Sequence, residues 1–414
     1  MQDQMQMVDA LLARGEIKRA EMLVAKQLRS QLTPPERARA LICRARARLA
    51  GLRPEEALDD LTVSQALLPL EFEKPDILEL EADCYFARFE LAAVGFADRG
   101  DIAHAQLLYQ RLVEETSGYT NQGWAYYQLG RIALMVSDST EAEHCFRLAL
   151  FAPSHLKTLT AFCYERLGFI AFYEQRDLNN ALGLLNKAVD TYPTGEKHGW
   201  LVQVHLLRSK VLREMRDYQQ ALQAAETALA IASGSSPQDR HSMAEALLTT
   251  GELLATMEGR DRETVAHLQQ FLQISRKPLG VDVTWSRVHE MLGDAYFRLG
   301  QYDLTGQAYQ AALDYNPYHP WEISLYYRIA RSHYLQGGYE AAVKAIEKML
   351  RAAEVEGESV NDYRVFDILG NAQFALGRYA DAVRAYAQAL KVAPMNAENL
   401  DKIKTYYELA QNMG

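Results

Sequence analysis

Residues 297–317 read FRLGQYDLTGQAYQAALDYNP, and residues 374–394 read FALGRYADAVRAYAQALKVAP. The stretches stand 77 positions apart and keep Gly, Tyr, a small residue, Tyr, Ala, Leu and Pro in step. In the second, Ala382, Val383, Tyr386, Ala389 and Leu390 recur at spacings of three and four, which places them on one helix face. Leu369, Ala372, Gln373 and Leu376 make a preceding, antiparallel helix. Gly377 stops that helix, because glycine accepts the left-handed conformation a helix end often needs. Pro394 follows the second helix, so the stretch reads as a helix hairpin.

The same pattern anchors a second helix at Ala20, Ala57, Ala105, Ala142, Ala181, Ala221, Thr264, Thr305, Ala342 and Ala382. These anchors span 362 residues over nine gaps, a mean spacing of about 40, and a fixed period of this kind marks a stacked helical array. Four residues after the anchors stand Val24, Leu61, Tyr109, Phe146, Leu185, Leu268, Tyr309, Ile346 and Tyr386, with Ala225 the one small exception. Glycine lies five residues before six anchors, at Gly15, Gly100, Gly259, Gly300, Gly337 and Gly377. A small residue in the first helix (Ala93, Gly130, Gly168, Gly293, Ala330 or Gly370) and the small anchor in the second let the two helices approach closely. The larger group four residues on fills the space beside them. Two departures stand out. The 48-residue gap before Ala105 holds either one long helix from about 76 to 99 or two short ones. The fifth unit carries an extra turn residue, with Asn179 and Asn180 available for unusual backbone conformations.

Three stretches, LGDAYFRLGQYDLTGQAYQAALDYNP at 292–317, RIARSHYLQGGYEAAVKAIEKML at 328–350 and LGNAQFALGRYADAVRAYAQALKVAP at 369–394, resemble the tetratricopeptide repeat family. LGRIALMVSDSTEAEHCFRLALFAP at 129–153 and LGFIAFYEQRDLNNALGLLNKAVDTYP at 167–193 resemble it well. The resemblance implies an all-α fold, a right-handed α-solenoid of about ten hairpins with longer helices than the family's 34-residue unit. One continuous array is expected over 1–414. It comprises divergent repeats at 1–70, a long-helix repeat at 71–122, well-matched repeats at 123–199, divergent repeats at 200–284, best-matched repeats at 285–395 and a capping helix at 396–414. Leu400, Ile403, Tyr407 and Ala410 are expected to face inward from that last helix, which otherwise mediates self-association.

The formal charge of −10 argues against a nucleic-acid surface over the whole molecule, which needs clustered Lys and Arg. In ERARALICRARARLAGLR at 36–53, spacings of two put neighbouring arginines on opposite sides of a helix. Arg37, Arg44 and Arg48 can align, and the run is read as a solvated face or as a contact for the acidic segment 71–83. The acidic and polar first residues predict no signal peptide, and no apolar run of membrane-spanning length occurs in the sequence. Cys43, Cys84, Cys145 and Cys163 occur singly and read as reduced, buried thiols. A cytoplasmic location is expected.

Three short motifs bear on catalysis. VHEML at 288–292 lacks the second histidine of a zinc-binding H-E-x-x-H, since position 293 is glycine. PTGEKHG at 193–199 lacks the first glycine and the hydroxyl residue of a phosphate loop. SHLK at 154–157 matches S-x-x-K, pairing Ser154 with Lys157, but the companion motifs are missing and Ser154 reads as a helix cap. The chain is read as a non-enzyme without cofactor or metal.

The resemblance implies that the first helices line a concave, partner-binding surface. Periodicity picks the residues facing away from the second helices: Trp124, Tyr127 and Arg131; Phe162, Arg166, Phe169 and Tyr173; Arg287, Asp294 and Arg298; Tyr327, Arg328, Arg331 and Tyr334; Arg364, Asp367 and Asn371. Packing is the favoured role for Phe162 and Phe169. Aromatic and arginine groups suit recognition of a protein or peptide, and arginine suits an acidic peptide or a terminal carboxylate. The Lys and Asn set of the family's chaperone-tail clamp is absent from these positions. The expectation is an interaction scaffold or adaptor holding a peptide in its groove. The alternative is a ligand-responsive regulator that acts on a partner in trans.

Overall fold

The computed structural model describes residues 2–68, 74–92, 99–116, 119–193, 199–234 and 240–414. Among them are twenty-one α-helices and no strand. The chain divides into two compact units, Met1–Glu196 and Lys197–Gly414. In the first, α1 (Gln2–Ala13) pairs with α2 (Ile17–Leu28), and α3 (Pro34–Ala50) with α4 (Pro54–Leu67). Then α5 (Pro75–Leu91) pairs with α6 (Arg99–Glu114), α7 (Gln122–Met135) with α8 (Ser139–Phe151), and α9 (Leu159–Tyr173) with α10 (Leu178–Thr191). In the second, the pairs are α11 (Gly199–Glu214) with α12 (Tyr218–Ser233), and α13 (Arg240–Ala255) with α14 (Asp261–Ile274). They continue as α15 (Val283–Arg298) with α16 (Tyr302–Tyr315), α17 (Glu322–Leu335) with α18 (Tyr339–Glu356), and α19 (Tyr363–Ala375) with α20 (Tyr379–Val392). A last helix, α21 (Leu400–Met413), packs on α20. Each hairpin also packs on the next within its unit, so each unit is a helical solenoid.

All ten anchors are fully buried, and the residues four positions on are at most 2% exposed. The reason is spatial. A Cβ added at Gly293 would stand 2.5 Å from the Tyr309 ring, at Gly370 2.6 Å from Tyr386, at Gly130 2.7 Å from Phe146, and at Gly168 2.9 Å from Leu185. Gly251 plays the same part under Leu268, at 2.5 Å, in a hairpin whose first-helix signature is weak in sequence. Ala225 is no gap in the pattern: Ser209, larger than glycine and 1% exposed, holds the corresponding place in α11.

Five of the six turn glycines (Gly15, Gly259, Gly300, Gly337 and Gly377) have φ between 72° and 80°, as the helix-stop reading requires. Gly100 does not, since it lies inside the first turn of α6. At the same register, Leu52, Ser137, Arg176 and Arg216 adopt φ of 56° to 64° without being glycine. The turn geometry is therefore set by hairpin packing, and four repeats meet it with a strained residue.

Several expectations change. The long segment holds one helix that ends at Leu91, with Ala92 extended, and α6 begins only at Arg99. Ala93 lies outside the described residues, and the close-approach residue of this hairpin is Ala82, fully buried in a core with Ala105 and Tyr109. In the fifth hairpin Arg176 takes the unusual conformation, while Asn179 and Asn180 are helical. The extra residue is spanned by a hydrogen bond from Asp177 N to Ala171 O, 2.9 Å, where the preceding hairpin bonds Asp138 N to Ala133 O. In α21, Ile403 and Ala410 are buried and Leu400 and Tyr407 half-buried as expected, and Tyr406 adds an edge contact on Phe374.

Candidate functional site

One position in each first helix organises the polar surface: the residue directly after the small close-approach residue. In three hairpins the group filling the gap is a tyrosine, and its hydroxyl donates to that next position. Tyr109 donates to Asp83 at 2.5 Å, Tyr309 to Asp294, and Tyr386 to Asn371 at 2.9 Å. A buried phenol needs an acceptor, and the helix supplies it one residue past the glycine or alanine. Where the filler is Leu61, Phe146, Leu185, Leu268 or Ile346, no hydroxyl arrives. The position is then Arg46, Arg131, Phe169, Glu252 or Arg331. Asp294 and Asn371, picked from periodicity as partner-facing, are thus partly used inside their own hairpins. The sequence signal that separates the two roles is the identity of the filler residue, which stands 15 positions after Asp294 and Asn371 and 26 after Asp83.

In the second unit these residues line an open cleft of about 500 Å³ formed by α15, α16, α17 and the start of α19. It brings together Asp294, Arg298, Tyr327, Arg328, Arg331 and Arg364 from the expected set, with Asp362. Arg328 is ion-paired with Asp294 and lies over the Tyr309 ring at 5.7 Å. Arg364 chelates Asp362, the N-cap of its own helix, at 2.7 Å, which holds that carboxyl below its ordinary range. Arg298 reaches outside the cleft to Asp261 at 2.6 Å. Arg331 differs. Its guanidinium rests on the Phe297 ring at 4.8 Å, and among the described residues it makes no ion pair. Of the four arginines, Arg331 alone has no ion-pair partner among the described residues. Burial raises the Tyr327 phenol, which therefore stays protonated and able to donate.

The remaining expected residues lie elsewhere. Arg287 pairs with Glu252 at 3.0 Å, Tyr334 packs against Tyr339 at 5.9 Å between ring centres, and Asn371 donates to Asp367 at 2.7 Å. In the first unit, Tyr127 is 8% exposed and wedged between Phe146 and Phe162, so it belongs to the core rather than to a surface. Trp124 donates its indole N–H to Asp83 at 3.0 Å. Arg131 pairs with Glu90 and covers Phe86 at 4.7 Å. Arg166 is held by the buried Glu165 at 2.5 and 2.7 Å and lies over Phe169 at 5.5 Å, while Phe169 meets Tyr173 at 4.6 Å. Tyr173 is the one aromatic of this group classed as exposed.

In the basic run 36–53, Arg37 is exposed and the central arginines are engaged in internal pairs. Arg44 and Arg48 share the buried Asp60, and Arg46 reaches Asp76 of the acidic segment at 3.1 Å. Ser154 is not a helix cap: its hydroxyl donates to Asn121 at 2.9 Å and accepts from Leu156 N at 3.1 Å, which closes a turn ahead of α9. His289 stacks on Tyr315 at 5.5 Å, and Glu290 faces His319 at 3.5 Å. Residues 194–198 of PTGEKHG lie outside the described residues. All four cysteines are buried and free.

Residues 286–355 match one family model described as tetratricopeptide repeat, and residues 363–396 match another of the same description. These two segments are tetratricopeptide repeats. Tetratricopeptide repeats serve generally as protein-interaction scaffolds. The solved structures similar to the chain include a tetratricopeptide repeat protein from Parabacteroides merdae, 18% identical, covering 70% of this chain and 99% of that one at a TM-score of 0.39. Another is the C-terminal part of a repeat-containing protein from Cytophaga hutchinsonii, 14% identical over 68% and 97% at 0.46. A third is pilF of Pseudomonas aeruginosa, 14% identical over 62% and 97% at 0.44. No curated protein matches the chain. Among the described residues, no helix is long and apolar enough to cross a membrane.

Proposed function

We propose that the protein is a non-enzymatic scaffold that holds an extended, acid-bearing segment of a protein partner in the cleft of the second unit. The observation that carries this reading is Arg331. Its guanidinium lies over the Phe297 ring, in the same cleft as the half-buried Tyr327, and has no ion-pair partner among the described residues. A planar fork held on a ring presents its edge N–H groups to a carboxylate and loses little freedom on binding. The neighbouring arginines are already neutralised, so the cleft suits one carboxylate better than a dense acidic run. The non-enzymatic part is supported by the use of Ser154 in a turn and of His289 in a stack.

Selection from a library of extended peptides on the full chain tests the proposal. Acid-bearing sequences should dominate, and Arg331→Glu should weaken them roughly tenfold or more. Replacing the peptide acid by lysine should restore binding to that variant. Selected peptides without an acid, or undiminished binding to Arg331→Glu, would refute the proposal.

A further inference from the structure

Within the first unit, two carboxylates on successive turns of α5 accept hydrogen bonds from α6, from the segment before α7 and from α7 itself. Asp83 Oδ1 accepts from Tyr109 of α6 at 2.5 Å and from the Trp124 indole of α7 at 3.0 Å. Glu79 accepts from the Tyr119 hydroxyl and from Asn121 Nδ2 at 2.9 Å. Asn121 Oδ1 in turn accepts from Ser154 Oγ at 2.9 Å and from His155 N at 3.0 Å. The chain of bonds crosses from the third hairpin to the loop before the fifth. A cleft of about 440 Å³ opens beside it, lined by both carboxylates with Arg46, Asp76, Tyr119, Asn121 and His155.

We propose that Asp83, with Glu79 one turn before it, is a proton-operated latch that fastens the α5/α6 hairpin to α7. Glu79 and Asp83 are half-buried at the edge of this cleft, and when both are charged they repel each other across one helical turn. One proton on Asp83 removes the repulsion and leaves its carbonyl oxygen free to accept. Few cations oppose them. Arg46 of α3 is engaged by Asp76 and Asp9, and Arg131 of α7 by Glu90. On α4 the buried Asp60 is held by Arg44 and Arg48, and Tyr109 and Tyr119 act as neutral donors. His155, on its loop, bonds Thr120 at 2.9 Å. Burial, reinforced by the Glu79 charge against the bonds from Tyr109 and Trp124, pushes Asp83 up to about 7. An unfolded aspartate releases its proton near 4. The folded form therefore holds a proton that the unfolded chain has lost. The latch contributes most below about pH 4, weakens as pH rises, and contributes nothing further above about 7.

Hydrogen exchange of the full chain, resolved to residues 122–135 and corrected for intrinsic rates, tests this. Protection there should fall, by up to about tenfold per pH unit, between pH 5 and 7 and then level off. Asp83→Asn should flatten the profile. Glu79→Gln removes the like charge and should move the levelling point to lower pH, which provides the test even where Asp83→Asn does not fold. Protection that is constant from pH 5 to 8 overturns the proposal. So does a wild-type profile in a folded Asp83→Asn or in Glu79→Gln, or a profile abolished by His155→Gln while Asp83→Asn retains it.

Discussion

Substituting Gly293 by alanine puts a carbon where the Tyr309 ring already lies, with Cε1 at 2.5 Å, Cδ1 at 2.6 Å and Cζ at 2.9 Å. Ordinary contact between carbons begins near 3.5 Å, so the ring must retreat by about 1 Å. It is held from behind. Its hydroxyl is bonded to Asp294, Arg328 lies over its face, and it is 2% exposed within the core that runs through Ala312, Leu325 and Ile346. Overpacking of this kind costs about 1–3 kcal/mol, and the restraints place this case near 3. The hairpin formed by α17 and α18 suggests the compensation, because Ala330 there accompanies Ile346 instead of a glycine with a tyrosine. Tyr309→Ile alone should cost about 3 kcal/mol by leaving a cavity over Gly293. In Gly293→Ala/Tyr309→Ile the two losses should not add, giving a coupling of about 1–2 kcal/mol in favour of the double variant. Urea unfolding followed by local hydrogen exchange in α15 to α17 measures all four forms. A Gly293→Ala protein within about 0.5 kcal/mol of wild type, or strictly additive losses, would show that the small residue is not what admits the ring.

Two further expectations concern backbone strain and buried thiols. Arg216 sits at φ 64°, is exposed and ends helix α11, so Arg216→Gly should raise the stability of the second unit by about 0.5–1 kcal/mol; an unchanged or lowered denaturation midpoint in urea would contradict the strain. Burial pushes Cys43 up to about 11 and Cys145 and Cys163 up to about 12, so a thiol reagent at pH 8 should modify them only in denaturant. Their folded values lie above the usual thiol value of about 8.5, so their contribution to stability should persist to that pH and fall away as pH rises through the folded range. Fast labelling of the native chain would argue against this.

The register of the hairpins was legible because it is written locally. Ten small anchors, the fillers four residues on and the turn glycines are short-range choices imposed by close helix approach, and the buried positions match them residue by residue. The close-approach residue of the third hairpin, Ala82, was not picked from the sequence, because it stands farther from its anchor Ala105 than in the other hairpins. Reading also failed where turn geometry was imposed from outside, as at Arg176 in place of the asparagines. Of the cleft, the periodicity found Arg298, Tyr327, Arg328, Arg331 and Arg364, since each lies on the outer face of a first helix.

By itself, the sequence determined that this chain is built of helix hairpins of about forty residues, and most but not all of its outward positions, since Tyr127 proved to be core. Only the tertiary structure decided which outward charges remain available. Pairing in such an array joins residues some thirty to forty positions apart: Arg131 to Glu90, Arg328 to Asp294 and Arg298 to Asp261 are neutralised across hairpins, and Arg331 is not. A helical period fixes direction around one axis. Whether a partner stands opposite depends on the neighbouring hairpin, and only packing brings that into place.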